Sequence, residues 1–215
     1  GRHNSYVVAL AFGPDRELWS AGRDGRICFD PIDPERSITL QSPDDLQSNR
    51  VYWLEADGAG RCRAIQGGRW VRYDADTASG AIVDSQLPKL PTFVIEEGVL
   101  RWGEFPVVSI TPSSDGRWIL VATGFRVGLW DAERQQWEWQ QSRTDTVYLA
   151  SFSPNGAGVI VTSTTGLHWL ERSTGEERDA RKLRSATNVE LIPGTNEWLL
   201  GDRSRLIRAG AIRNW

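Results

Sequence analysis

The chain is organised by one recurring pattern, short apolar runs each cut off by a turn that carries Gly or Asp. The clearest case runs from Val107 to Trp139. There VVSIT, RWILVA and RVGLWD are separated by Ser114-Asp115-Gly116 and Thr123-Gly124, and a fourth run follows around Trp137 and Trp139. Runs of about five or six residues, ended by residues that supply turn conformations, predict strands of an antiparallel meander. Inside the runs the side chains alternate with the period of extended chain, as in Val8-Ala9-Leu10-Ala11-Phe12 and Ile27-Cys28-Phe29. An all-β fold follows.

The pattern returns along the whole chain. Repeats are expected at about 3–41, 51–87, 107–142, 147–183 and 188–215. The second reads VYWLEADG, RCRAIQGG, RWVRYDAD and AIVDS; the fourth reads VYLASFSPNG, VIVTSTTG and LHWLE. Residues 88–105 form an insertion in which TFVIEEGVLRWG predicts a hairpin turned at Glu97-Gly98. The acidic residues that close the third runs, Asp30, Asp74, Asp131 and Glu171, lie 44, 57 and 40 residues apart, and the longest interval contains the insertion. A period of ~40–45 residues is that of a four-stranded propeller blade, a unit stable only when stacked on neighbours. The expectation is a single β-propeller domain over 1–215 with about five four-stranded antiparallel blades, either a minimal closed ring or a domain excised from a longer chain.

Particular residues carry a family resemblance. His3, the AFGPD turn, Ser20-Ala21-Gly22, Arg23-Asp24-Gly25 and the following Arg26-Ile27 together resemble a repeat of the WD-repeat β-propeller family. The resemblance implies that His3, ahead of the first strand, and Asp24, in the turn between the second and third, hydrogen-bond through the blade with Ser20 between them. It also implies structural roles for Asp74, Trp130 and Asp131, because Tyr73-Asp74 and Trp130-Asp131 occupy the Trp-Asp position of that family. Asp30-Pro31 and Leu170-Glu171 depart from it. The stretches Asp74 to Gly80, Asp131 to Trp137 and Leu170 to Glu176 are also similar to the D-A-x-T-G-x-x-W turn of quinoprotein-type propellers. The His3 and Asp24 pair favours the WD side.

Composition and motifs narrow the function classes. A formal charge of -3 and a pI near 5.5 give no general attraction to nucleic acid or an anionic membrane. No apolar run approaches the ~18 residues of a membrane span, so a soluble, cytoplasmic chain is expected. Cys28 and Cys62 are too few for a disulfide framework and are expected as buried free thiols. There is no zinc-spaced His/Cys cluster, no G-x-S-x-G elbow, no phosphate-binding glycine loop and no G-x-G-x-x-G. No catalytic residue, metal, cofactor or small-molecule ligand is therefore expected, and His168 is read as a packed or rim histidine.

One alignment points to a binding surface. Arg26, Arg69, Arg126 and Arg205 each precede the first apolar residue of a third run, with Gly166 as the exception. In a propeller these loops open on one face, so the guanidiniums would ring it and hold an acidic peptide, a phosphate group or a nucleic-acid backbone bidentately. The alternative is pairing with Asp24, Asp145 and Asp202. The leading expectation is a non-catalytic scaffold or regulatory platform that binds a protein partner or another domain of its own chain. Two other readings stand beside it: a carbohydrate-binding propeller using Trp102, Trp137 and Trp139, and a five-bladed glycosidase using Glu55 and Glu190 on innermost strands.

Overall fold

The computed structural model describes residues 3–31, 37–58, 60–153 and 156–182, together with the backbone of three later strands. Among them the regular structure is β, apart from one 3-10 turn at Asp84–Gln86. Two compact units are formed, Gly1–Gly103 and Glu104–Trp215.

The first unit holds two antiparallel four-stranded meanders. One consists of β1 (Val7–Phe12), β2 (Leu18–Gly22), β3 (Ile27–Asp30) and β4 (Ile38–Leu40). The other consists of β5 (Val51–Gly58), β6 (Arg61–Gln66), β7 (Arg69–Asp74) and β8 (Ser79–Ile82). A hairpin follows, β9 (Val94–Glu96) and β10 (Val99–Trp102). It turns on Glu97 and Gly98, both at positive φ (52 and 74), the two-residue geometry that matches strand twist.

The two meanders share one core, in which Trp19, Ala21, Ile27 and Leu40 meet Val51, Leu54, Cys62, Ala64, Val71 and Tyr73. Their outermost strands are also joined: the Gln41 amide donates to the Ala78 carbonyl at 3.0 Å, and the Gly80 amide to the Gln41 carbonyl at 2.9 Å, a parallel bridge between Gln41 and Ser79. The fourth run of this repeat was expected at Ala81 to Ser85, but β8 stops at Ile82. The cause is Asp84, whose Oδ1 accepts the Trp70 amide at 2.7 Å while Oδ2 pairs with Arg69. The chain must turn to deliver that carboxylate.

The second unit repeats the design. Its sheets are β11 (Phe105–Pro112), β12 (Trp118–Thr123), β13 (Arg126–Asp131) and β14 (Gln136–Ser142); then β15 (Val147–Phe152), β16 (Gly158–Ser163), β17 (Leu167–Glu171) and β18 (Glu177–Arg181); then β19 (Asn188–Leu191), β20 (Trp198–Gly201) and β21 (Leu206–Ala209). Leu120, Ala122, Val127, Leu129 and Trp139 pack with Val147, Ala150, Val159, Val161 and Leu170.

Register makes the four meanders β1–β4, β5–β8, β11–β14 and β15–β18 comparable residue by residue. In the first strand of each a valine stands opposite the last residue of the second strand: Val7 with Gly22, Val51 with Gln66, Val107 with Thr123 and Val147 with Ser163. A bulge follows at once in every case, between Val7 and Ala9, Val51 and Trp53, Val107 and Ser109, and Val147 and Leu149. A bulge bends the strand and re-aims its side chains. It therefore brings the entering loop against the turn between the second and third strands, where the polar groups of each sheet collect.

Candidate functional site

In the first sheet that corner holds His3, Ser20 and Asp24. His3 Nε2 lies 2.9 Å from Ser20 Oγ, and Nδ1 lies 3.4 Å from Asp24 Oδ1. Asp24 Oδ2 accepts the Asn4 amide at 2.6 Å, and Oδ1 accepts the Arg26 amide at 3.2 Å. Burial works to raise the Asp24 carboxyl, but the Asn4 and Arg26 amides and His3 outweigh it and hold it below its usual range. Gly22 is required here, because a Cβ would stand 2.2 Å from Asp24 Oδ1 and 2.4 Å from His3 Nδ1.

The corresponding corner of the β15–β18 sheet uses the same residue types with places exchanged. The carboxylate, Asp145, now comes from the entering loop; the histidine, His168, comes from the third strand; hydroxyls come from Ser163 at the end of β16 and Thr165 in the turn. Asp145 Oδ2 accepts from Thr165 Oγ1 at 2.6 Å and lies 3.2 Å from His168 Nε2, while Oδ1 accepts from Arg143 Nε at 3.1 Å. On the far side of the ring, His168 Nδ1 is 3.0 Å from Glu177 Oε2, which also accepts from Arg143 Nη1 at 2.9 Å. Burial works to raise Asp145, yet hydrogen bonds from Ser163 and Thr165 and the Arg143 guanidinium hold it well below the carboxylate range. Glu177 is likewise depressed against its burial by Arg143 and His168. These groups line an open hollow of about 340 Å³.

Distances of 3.0 Å from Ser163 Oγ to His168 Nε2 and 3.0 Å from His168 Nδ1 to Glu177 have the lengths of a Ser-His-acid relay. The surroundings deny that role. Ser163 is fully buried, and Asp145 and Thr165 crowd the ring nitrogen that would take the serine proton. The cluster is a closed ionic network that fixes the loop before β15 to the turn after β16 and to the outer strand β18.

The β5–β8 sheet solves the same corner without charge. Gln66, fully buried, donates through Nε2 to the Gly25 carbonyl at 3.1 Å, the Asn49 carbonyl at 2.9 Å and Ser42 Oγ at 3.1 Å, and its Oε1 accepts from Tyr73 Oη. In the β11–β14 sheet Thr123 Oγ1 accepts the Phe125 amide at 3.3 Å. Gln66, Ser163, Arg143 and Glu177 were not singled out by sequence, and Asp145, named there only as an acidic partner for the aligned arginines, pairs with Arg143. The usable signal was position, since the register places Gln66 and Ser163 where Gly22 stands.

The arginines fall where the alignment puts them, one step before or at the start of a third strand, and each is engaged within its own sheet. Arg26 Nε stands 4.0 Å from Asp24 Oδ2, Arg69 pairs with Asp84, and the Arg126 guanidinium lies 5.9 Å from the Phe105 ring centre. Their neighbours are intramolecular, yet the Arg26 and Arg69 side chains remain 46% and 48% exposed. Arg205 and Asp202 lie outside the described residues.

Asp131 and Asp74 cap the turn into the fourth strand. Asp131 Oδ1 accepts the Glu133 and Arg134 amides at 3.0 and 2.9 Å, and Asp74 Oδ1 accepts the Asp76 amide at 2.8 Å. The Arg134 amide leads in holding the Asp131 carboxyl below its usual range, against its burial. Trp130 packs edge-on to Trp137, centroids 5.3 Å apart. Trp102 and Trp139 are buried, and Trp139 Nε1 donates to the Arg172 carbonyl at 2.6 Å, so neither ring offers a face to a sugar. Glu55 is ion-paired with Arg63 at 2.7 Å, and the Glu190 side chain lies outside the described residues.

Cys28 and Cys62 are both buried and free. Among the described residues no group of three or more His, Cys, Asp or Glu is placed to hold a metal ion, and no helix is long and apolar enough to cross a membrane. Compared with known proteins, the chain matches no family model and no curated protein.

Proposed function

We propose that the chain is a non-catalytic interaction platform, built of stacked WD-repeat-like propeller blades, that binds a protein partner or another domain of its own polypeptide. Within each unit the binding groups are those on the turns between second and third strands. One observation supports this reading: the histidine and hydroxyl groups of these turns are consumed inside their sheets, while Arg26 and Arg69, each beside a carboxylate of its own sheet, keep about half of their side-chain surface exposed at 46% and 48%. Turns fixed in this way present guanidiniums at low entropic cost, and guanidiniums pair bidentately with the carboxylates of an acidic protein segment.

The test is a charge-reversal variant, Arg26→Glu with Arg69→Glu and Arg126→Glu, checked for native circular dichroism and used beside the parent chain in affinity capture. Interactors of the parent chain are expected to be lost from the variant and released by about 0.5 M salt, as contacts between exposed charges are screened. A folded variant that keeps every interactor overturns the reading.

A further inference from the structure

The corner built on Asp145 leaves part of its polar chemistry unused. Every residue that lines its hollow is polar. Asp145 itself is filled: Arg143 Nε bonds one oxygen, Thr165 Oγ1 bonds the other, and His168 stands against the second as well. Glu177 is not filled. Its Oε2 serves both Arg143 Nη1 and His168 Nδ1, while its Oε1 has no hydrogen-bond partner among the described residues, on a side chain that is 41% exposed. The hydroxyls of Ser142 and Thr144, two exposed residues that line the same hollow, have no partner there either. Three oxygens are therefore left over, one of them anionic. The remaining guanidinium nitrogen, Arg143 Nη2, belongs to a cation that two carboxylates already hold.

These remainders discriminate among ligands. An apolar group has no hydrophobic residue to pack on, and an anion meets Asp145 and Glu177 against the one guanidinium they share. A divalent metal ion wants about six oxygens, more than are left over. A guanidinium needs both oxygens of a carboxylate for its fork, and Glu177 Oε2 is occupied. A primary ammonium is different, because its three N–H donors surround a compact charge and match one carboxylate oxygen and two hydroxyls. We propose that the hollow seats the ammonium of a lysine side chain of the protein partner, bonded to Glu177 Oε1, Ser142 Oγ and Thr144 Oγ1. The charge agrees, since the carboxylates Asp145 and Glu177 outnumber the Arg143 guanidinium by one. For its partner this inference rests on the reading of the chain as an interaction platform; for its chemistry it does not, and a small probe reads it directly.

The probe is Nα-acetyl-lysine methylamide, titrated to about 50 mM into the isotope-labelled 215-residue chain and followed by amide NMR shifts, with Nα-acetyl-glutamate methylamide as the acidic comparison. Saturable shifts with a millimolar dissociation constant are expected at residues 142–146 and at Thr165, His168 and Glu177, and none from the acidic probe. Glu177→Gln should raise that constant by roughly tenfold or more, as a charge-assisted bond is lost. Ser142→Ala with Thr144→Val removes two hydroxyls that bond nothing within the chain, and should raise it by about fivefold. This double variant carries the test if Glu177→Gln does not fold. The proposal is overturned if the lysine probe gives no saturable shifts, if its shifts scatter over exposed carboxylates elsewhere, if the acidic probe binds equally, or if the folded variants bind as the parent does. The platform reading is judged apart from this by its charge-reversal variant. Loss of interactors there without lysine binding here removes the lysine seat alone, and lysine binding by a chain whose charge-reversal variant keeps every interactor supports the seat and removes the platform.

Discussion

His168 on β17 and Glu177 on β18 are joined through Nδ1 and Oε2 at 3.0 Å, and the same Glu177 oxygen takes Arg143 at 2.9 Å. Every residue of β18 is exposed, so this carboxylate, with the Arg178–Glu171 pair at 3.7 Å, ties that outer strand to the body of its sheet through side chains.

Replacing the tie loosens the strand before it unfolds the sheet. Glu177→Ala is expected to cost about 1 kcal/mol, a modest figure because the carboxylate is 41% exposed and screened. The local effect is larger: amide exchange across Glu177–Arg181 should rise at least tenfold while β16 amides change little. Equal acceleration in both strands would show that the tie is not local.

Asp145 gives a pH signature. Its folded pKa lies below the ordinary value of 3.8, so the stability it lends is complete above that value and is lost as the pH falls below it toward the folded pKa. Asp145 and Arg143 side chains are 8% and 11% exposed, and Asp145→Asn should cost about 3 kcal/mol at pH 7, the scale of a broken buried pair. Urea titrations at descending pH should find the gap between parent and variant closing below about pH 4. A gap that stays constant into acid would mean that the charge contributes nothing.

Gln66→Ala removes one side chain that serves three acceptors and one donor. Gly25 and Asn49 lose an amide donor, and Tyr73 loses an acceptor, in a place with no water contact at Gln66 itself. The expected cost is about 3 kcal/mol, read from the urea midpoint at unchanged slope.

Two glycines with the same backbone sign should respond differently. Gly67 has φ 57, and a Cβ there would stand 2.2 Å from the Ser48 carbonyl oxygen, a backbone atom. Gly98 has φ 74 and nothing within 4 Å of its Cβ position. Gly67→Ala should therefore cost about 3 kcal/mol or more, and Gly98→Ala only about 1 kcal/mol of left-handed strain, compared by thermal melting.

Local chemistry was legible in the sequence, and long-range pairing was not, apart from the His3, Ser20 and Asp24 contacts that the resemblance implied. The strand from Val107 could be read because alternation and the Ser114-Asp115-Gly116 turn are written within a few residues, and the hairpin at Glu97-Gly98 for the same reason. The end of β8 was missed because it depends on Asp84 reaching Trp70, and the Asp145 network because its members come from a loop, a strand end, a third strand and an outer strand. No local pattern distinguishes a buried Gln66 from any other glutamine after an apolar run. What sets it apart is the bulged register that places it at the Gly22 position.

The bridge between Gln41 and Ser79 has a kinetic meaning. Because backbone bonds join the end of β4 to β8 at the periphery while Trp19 and Tyr73 share one interior, the outer strands of the two meanders cannot peel away singly. Their amides should open to solvent together in one concerted event, which makes the pair, and not the single sheet, the cooperative piece of these eight strands.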